Sequence, residues 1–265
     1  GVKKIQMFHG TGVYTHYDQV GVLRKFDVFL SVNKFMNDFV DSIDLGKNKS
    51  FRVYDVGFPK SDFLFRQVCD KNFFKDKFVI AYLPHWNLSS SVHVFKEEIV
   101  RCLAGFKDCV VLVKPHNHLF WEFKDKGFYS LFRGLSKEFS NVFFFNHPDS
   151  SKVLPVCDLV VTDFSSTSAV EASVLSKPLI VFNNPSWFKS HNHFFVEKKV
   201  FDSGFKFSNL SELKDLVYKI SANKPFFRDD LILQKKSQSG IVNDCFFNPG
   251  TSTDAAVSAI LRELS

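Results

Sequence analysis

Short unbroken apolar runs punctuate this chain, and each is followed by a change of period. Residues 5–8, 26–32, 52–56, 78–83, 109–113, 142–145, 159–161 and 179–182 read as strands buried on both faces. Between them, apolar residues recur at helical spacing near residues 34–43, 92–104, 121–132 and 169–175, and a final helical set falls near 210–221, 229–234 and 252–264. An amphipathic segment covers residues 17–25. Strands that alternate with helices, with no room for hairpins, imply parallel sheets covered on both faces. The alternation is regular from Lys77 onward and incomplete before it. Residues 66–265 are therefore expected to form a complete Rossmann-like domain, and residues 1–65 a partial α/β domain facing it, the chain starting inside a fold. The last helix is expected to cross back to the first part.

One stretch, residues 157–183, organises the rest. An apolar strand ends in Thr162-Asp163, crosses Ser165, Ser166, Thr167 and Ser168, and turns helical through Ala169, Ala172 and Leu175; Pro178 stops the helix before the next strand. Backbone N–H groups and hydroxyls gathered at a helix N-terminus suit an anion such as phosphate. The plainer function of such a serine is to cap the helix.

In a parallel sheet, ligands bind beyond the carboxyl ends of the strands. There this sequence carries Pro84-His85-Trp86-Asn87, Lys114-Pro115-His116-Asn117-His118 and Asn146-His147-Pro148, beside the hydroxyl loop. One histidine at a strand end is commonly structural; three in consecutive loops favour a site. His116 and His118 lack a third ligand of zinc-like spacing, and no Asp-x-Asp pair is present, so no metal and no cofactor are expected.

Composition narrows the classes. The net charge of +6, from 34 basic and 28 acidic residues, suits an anionic substrate or membrane surface, and the dispersed basic pairs carry no nucleic-acid recognition motif. The five cysteines form no Cys-x-x-Cys unit and fit a reducing compartment. With no signal peptide and no run of 18 apolar residues, the chain is expected in the cytoplasm, at most peripheral to the inner face of the membrane. The 34 phenylalanines, with Phe143, Phe144 and Phe145 read as core positions, are a compositional bias without functional content.

His9-Gly10-Thr11, Gly57-Phe58-Pro59-Lys60-Ser61-Asp62, Tyr82-Leu83-Pro84-His85-Trp86, Lys114-Pro115-His116 and residues 158–182 together resemble the CDP-glycerol glycerophosphotransferase family of teichoic-acid and capsule enzymes. The resemblance runs over nearly the whole chain. It implies two facing Rossmann-like domains of GT-B type and transfer of glycerol phosphate, or a similar polyol phosphate, from a CDP-linked donor to a polymer or lipid-linked acceptor. It further implies that His9 is the catalytic base, with Gly10 and Thr11 beside it, and that His116, Lys114, Ser165, Ser166 and Thr167 hold the donor diphosphate; His85 and Asp163 are further candidates. The family tends to carry Asp where this chain has Glu171, and Arg where it has Asn87. Glu171 is more like nucleotide-sugar transferases, in which the resemblance suggests ribose binding. The alternatives are a GT-B glycosyltransferase or epimerase using a UDP- or CMP-linked sugar, and a non-catalytic nucleotide-binding module.

Overall fold

Both halves of the alternating pattern form wholly parallel sheets. The structure, a computed structural model, describes residues 2–8, 21–43, 51–66, 74, 77–121, 127–164, 166–185, 195–223 and 227–265. The smaller sheet holds β1 (Ile5–Met7), β2 (Val28–Ser31) and β3 (Arg52–Asp55), with Ile5 opposite Val28 and Val28 opposite Arg52. The larger contains β4 (Phe78–Leu83), β5 (Cys109–Val113), β6 (Val142–Phe144), β7 (Leu159–Asp163), β8 (Leu179–Phe182) and β9 (Phe205–Phe207), in the order β6-β5-β4-β7-β8-β9. Strand order reverses between β4 and β7. The connections leaving those two strands diverge, which opens a crevice at their carboxyl ends.

The helices are α1 (Lys34–Ser42), α2 (Pro59–Phe65), α3 (Ser91–Phe95), α4 (Glu98–Ala104), α5 (His118–Trp121), α6 (Phe128–Glu138), α7 (Thr167–Val174), α8 (Phe195–Ser203), α9 (Leu210–Ser221), α10 (Arg228–Cys245) and α11 (Ser252–Leu264). Alternate residues of the large sheet feed two cores. Ile80, Tyr82, Val111, Val161 and Ile180 face Val100, Leu103, Phe132, Leu213 and Val217 on one side. Val79, Ala81, Val160 and Val181 face Val170, Ala172 and Val200 on the other, in a core that continues into Phe29, Val32, Met36 and Phe58 of the first lobe. The two lobes therefore share apolar contact.

The structure corrects several sequence expectations. The helix expected over 92–104 breaks at Lys96, whose φ of 49° leaves the right-handed helical region. The helix expected over 229–234 runs on to Cys245; two of its buried residues, Gln234 and Gln238, are polar, so the apolar pattern stopped short of its end. Buried Gln234 and Gln238 serve backbone groups: Gln234 accepts from Leu179 N–H at 3.0 Å and donates to Leu179 O at 2.9 Å, and Gln238 donates to Lys177 O at 3.0 Å. Apolar periodicity has no signal for such a face. Phe143 is not a core residue; it lies on the edge strand β6 and is 42% exposed. Helix α8 and strand β9 were not anticipated, and the segment after β3, expected as a loop, is helix α2.

That α2 segment ties the last helix to the first lobe. Asp62 accepts from the backbone N–H groups of Ser252 (3.0 Å) and Thr253 (2.6 Å), which satisfies donors at the start of α11 that the helix itself leaves unpaired. At the other end of α11, buried Glu263 meets Lys3 (2.8 Å), Arg52 (2.6 Å) and the Tyr54 hydroxyl (2.6 Å). Between these ends Ala256 and Ala259 pack on Val28, Leu30 and Val56. The helix thus crosses back, as expected. Gly57 permits the junction: its φ is +90°, and a Cβ there would lie 2.0 Å from Phe247 O and 2.4 Å from the Ser252 hydroxyl.

Gly57→Ala is therefore expected to destabilise the fold by roughly 2–4 kcal/mol, combining left-handed strain with a backbone clash. Denaturant unfolding of the two proteins at neutral pH measures it, and a loss below about 0.5 kcal/mol would contradict the close approach.

Candidate active site

The crevice at the β4/β7 reversal is built by the last two residues of β7. Thr162 donates its hydroxyl proton to Leu83 O at 2.6 Å. Asp163, 3% exposed, accepts from His85 N–H at 2.6 Å through Oδ2 and from Ser91 N–H at 2.7 Å through Oδ1. One carboxylate thus fixes both the loop after β4 and the start of α3, whose Ser91 hydroxyl also lies 2.9 Å from the buried Tyr82 hydroxyl. Burial pushes the Asp163 carboxyl up to about 6, against the opposing pull of the Ser91 and His85 hydrogen bonds. A small pocket adjoins it, lined by His85, Asn87, Ser89, Ser90, Phe164 and Asn184.

The histidine loops converge beside this clamp. The His116 backbone N–H donates to Pro84 O at 3.1 Å, which sets the two loops side by side. The rings follow: His85 to His116 5.7 Å, His116 to His118 5.2 Å, Trp86 to His118 5.4 Å and His85 to Trp86 5.4 Å between centroids. His116 and His118 are exposed, so this ring cluster borders open space. His147, also exposed, accepts from Asp149 N–H at 3.0 Å and so shapes its own loop. Among the described residues, no three His, Cys, Asp or Glu gather as metal ligands would.

At the start of α7, Ser166 caps the helix by accepting from Ser168 N–H at 3.2 Å, and Thr167 is its first residue. The capping function weighed for this loop is therefore present in Ser166. Ser165, His9, Gly10 and Thr11 lie outside the described residues. Glu171 sits one turn further along α7, fully buried. Its Oε2 accepts from the Ser150 hydroxyl, and its Oε1 meets the Lys60 ammonium at 2.6 Å. Lys60 also reaches Asp149 at 3.3 Å. Lys114, 5% exposed, donates to Pro148 O at 2.9 Å from the loop after β6.

These groups form one electrostatic cluster of two cations and two anions. Burial lowers Lys114 below the ordinary lysine value; Glu171 and Asp149 pull it back up, and the neighbouring charge of Lys60 depresses it further. For Lys60, burial also acts downward, but attraction to Glu171 and Asp149 outweighs it and raises the ammonium above its ordinary value. Asp149 is pulled up by burial and held below the ordinary carboxyl value by Ser151 hydrogen bonds and Lys60. Lys60, Asp149 and Ser150 were not singled out as site residues in the sequence. Lys60 was visible inside the Gly-x-Pro-x-x-Asp element, whereas Asp149 and Ser150 carried no signal beyond following a strand-end histidine.

A family model for CDP-glycerol:poly(glycerophosphate) glycerophosphotransferase matches residues 3–234. The chain belongs to that family. Among curated proteins none matches it. Solved structures with the same fold include the S. aureus MnaA–UDP complex, at 14% identity and TM-score 0.56 over 92% of this chain and 61% of that one. Another is an S. aureus TarM variant with fondaparinux, alpha-GlcNAc-glycerol and UDP, at 12% identity and TM-score 0.50 over 97% of this chain and 50% of that one. The chain thus spans about half to three-fifths of their lengths. At such low identity the likeness concerns architecture alone, and that architecture is GT-B. In this glycerophosphotransferase-family chain, the β4/β7 crevice is the one fixed by Asp163.

Asp163 yields a signed pH dependence. A free aspartate ionises near 3.8 and this one near 6. Between those values the folded state holds a proton that the unfolded chain has released, so the contribution of this group falls as pH rises, by roughly 3 kcal/mol in all. The stability difference between the natural protein and Asp163→Asn, measured by urea unfolding, is expected to shrink by roughly 2 kcal/mol from pH 4 to pH 7. A pH-independent difference would refute the shift.

Proposed function

We propose that the protein is a transferase that moves glycerol phosphate, or a similar polyol phosphate, from a CDP-linked donor to a hydroxyl of a cell-surface polymer or its lipid-linked primer. What supports this reading, in a chain of this family, is that buried Lys114, exposed His116 and the N-terminus of α7 all follow strands at the same carboxyl edge of the large sheet. Lys114 and the α7 N–H groups are suited to the donor diphosphate, with His116 at the phosphoryl group. His9 follows β1 and is the proposed base: it takes the proton from the acceptor hydroxyl as that oxygen attacks the phosphorus bearing the polyol. The P–O bond to CMP breaks, and CMP leaves with the electron pair. Charge grows on phosphoryl oxygens throughout, so positioning and electrostatic stabilisation are the protein's main contributions.

The acceptor suggests where the protein works. A lipid-linked primer would require peripheral contact with the cytoplasmic face of the membrane, which the net charge of +6 would favour. No helix among the described residues is long and apolar enough to cross a membrane. A nucleotide-sugar donor is the second reading, supported by Glu171 on α7, which that reading assigns to a ribose when a diphosphate sits at the helix start.

Incubation with a panel of CDP-, CMP- and UDP-linked donors, followed by nucleotide release, separates these readings: CMP from CDP-glycerol supports the first, and UDP from UDP-sugars alone supports the second. With the active donor, His9→Ala is expected to lower turnover by ~10² to 10⁴ with donor affinity nearly intact, as loss of a general base does. His116→Ala should weaken donor binding and turnover together. Full turnover in the folded His9→Ala protein would remove His9 from the reaction.

A further inference from the structure

Lys60 and Glu171 come from different lobes and differ sharply in exposure. The Lys60 side chain is 39% exposed, and the Glu171 side chain is 1% exposed. Beyond the Lys60 ammonium, Glu171 Oε1 has no hydrogen-bond donor among the described residues. The buried carboxylate is thus fixed in place, and its partner stands on a flexible, partly exposed four-carbon stem, able to turn without unfolding anything. Lys114 is near enough to sense the charges of Lys60, Glu171 and Asp149. Two cations therefore border the place where the donor's phosphates are expected, and one of them is bound to a carboxylate that those phosphates would resemble.

We propose that Lys60 is a specificity-determining residue that exchanges partners: it pairs with Glu171 in this structure and contacts the donor's diphosphate during binding, while ribose hydroxyls take its place on Glu171. The inference rests on the nucleoside-diphosphate reading above. The exchange leaves no buried charge unmatched. Leaving Glu171 without a donor would strand a buried carboxylate, which proteins avoid. Two adjacent ribose hydroxyls supply donors for Oε1, and the freed ammonium finds oxygens carrying at least equal charge. A ligand with only one half of this chemistry drives only half of the exchange. A nucleoside without phosphates must displace Lys60 into water, and a bare diphosphate must strip Glu171 of its cation. A nucleoside diphosphate satisfies both groups, which makes the pair a filter for that class.

Calorimetric titration of CDP, UDP, cytidine and inorganic pyrophosphate into the natural protein, Lys60→Met and Glu171→Gln tests this. Lys60→Met should bind the preferred nucleoside diphosphate about tenfold or more weakly and cytidine equally or more tightly. Glu171→Gln, which releases Lys60, should bind pyrophosphate more tightly than the natural protein does. Folded Lys60→Met with unchanged diphosphate affinity, or with CDP and cytidine weakened by the same factor, would show the pair to be a structural tie and overturn the proposal. Should Lys60→Met fail to fold, unchanged pyrophosphate affinity in Glu171→Gln overturns it. If the natural protein binds neither CDP nor UDP, the donor reading itself fails.

Discussion

A single buried carboxylate holds together the crevice at the reversal of strand order. Where strand order reverses, the chains leaving β4 and β7 move apart, and the backbone N–H groups at the crevice need acceptors that no strand supplies. Asp163, at the end of β7, serves two of them, both on the connection that leaves β4. The burial that makes this costly also makes it rigid, since a carboxylate buried with two N–H partners has no solvent alternative. The crevice floor is consequently set by hydrogen bonds: His85 takes its position from the loop they anchor, and His116 from its own N–H bond to Pro84 O.

A second constraint joins the lobes. The Gly57-Phe58-Pro59-Lys60-Ser61-Asp62 element appeared in the sequence as a motif at a strand end, and each of its fixed residues has a separate physical task. Gly57 admits the backbone of Phe247. Pro59 starts α2, where its missing N–H is not needed. Ser61 donates to Phe58 O at 2.6 Å, and Asp62 caps α11. Lys60 instead carries its ammonium across to Glu171 and Asp149 of the second lobe. Five residues build the joint, and the sixth is left to meet charge.

How much of this was legible in the sequence followed from which interactions have a period. Both sheets, their parallel sense and most helices came from apolar spacing, because burial of whole faces is periodic. Helix α10 was cut short because Gln234 and Gln238 are buried through hydrogen bonds, and a polar residue inside carries the same letter as one outside. Phe143 failed for the opposite reason, being apolar on an edge strand. At the site, strand-end positions flagged His85, Lys114, His116 and Asp163, and the structure brings them to one sheet edge. What flagged nothing was partnership across the lobes: Glu171 and Lys60 lie more than a hundred residues apart in the sequence, and only the fold makes them neighbours.

The choice of partners for Glu171 follows from its position on α7. The first turn of a helix offers unpaired N–H groups, and a carboxylate there would be served by the backbone. Glu171 lies past that turn, where the N–H groups are already committed to the helix. Its two oxygens must therefore draw on side chains or a ligand, and the described side chains that reach them are Ser150 and Lys60. Ser150 is itself buried and can serve one oxygen in any state of the site. The other oxygen depends on Lys60, a partly exposed group of the first lobe. A helix that presents a buried acid beyond its own N–H groups thus takes its counter-charge from a partly exposed cation of the other lobe.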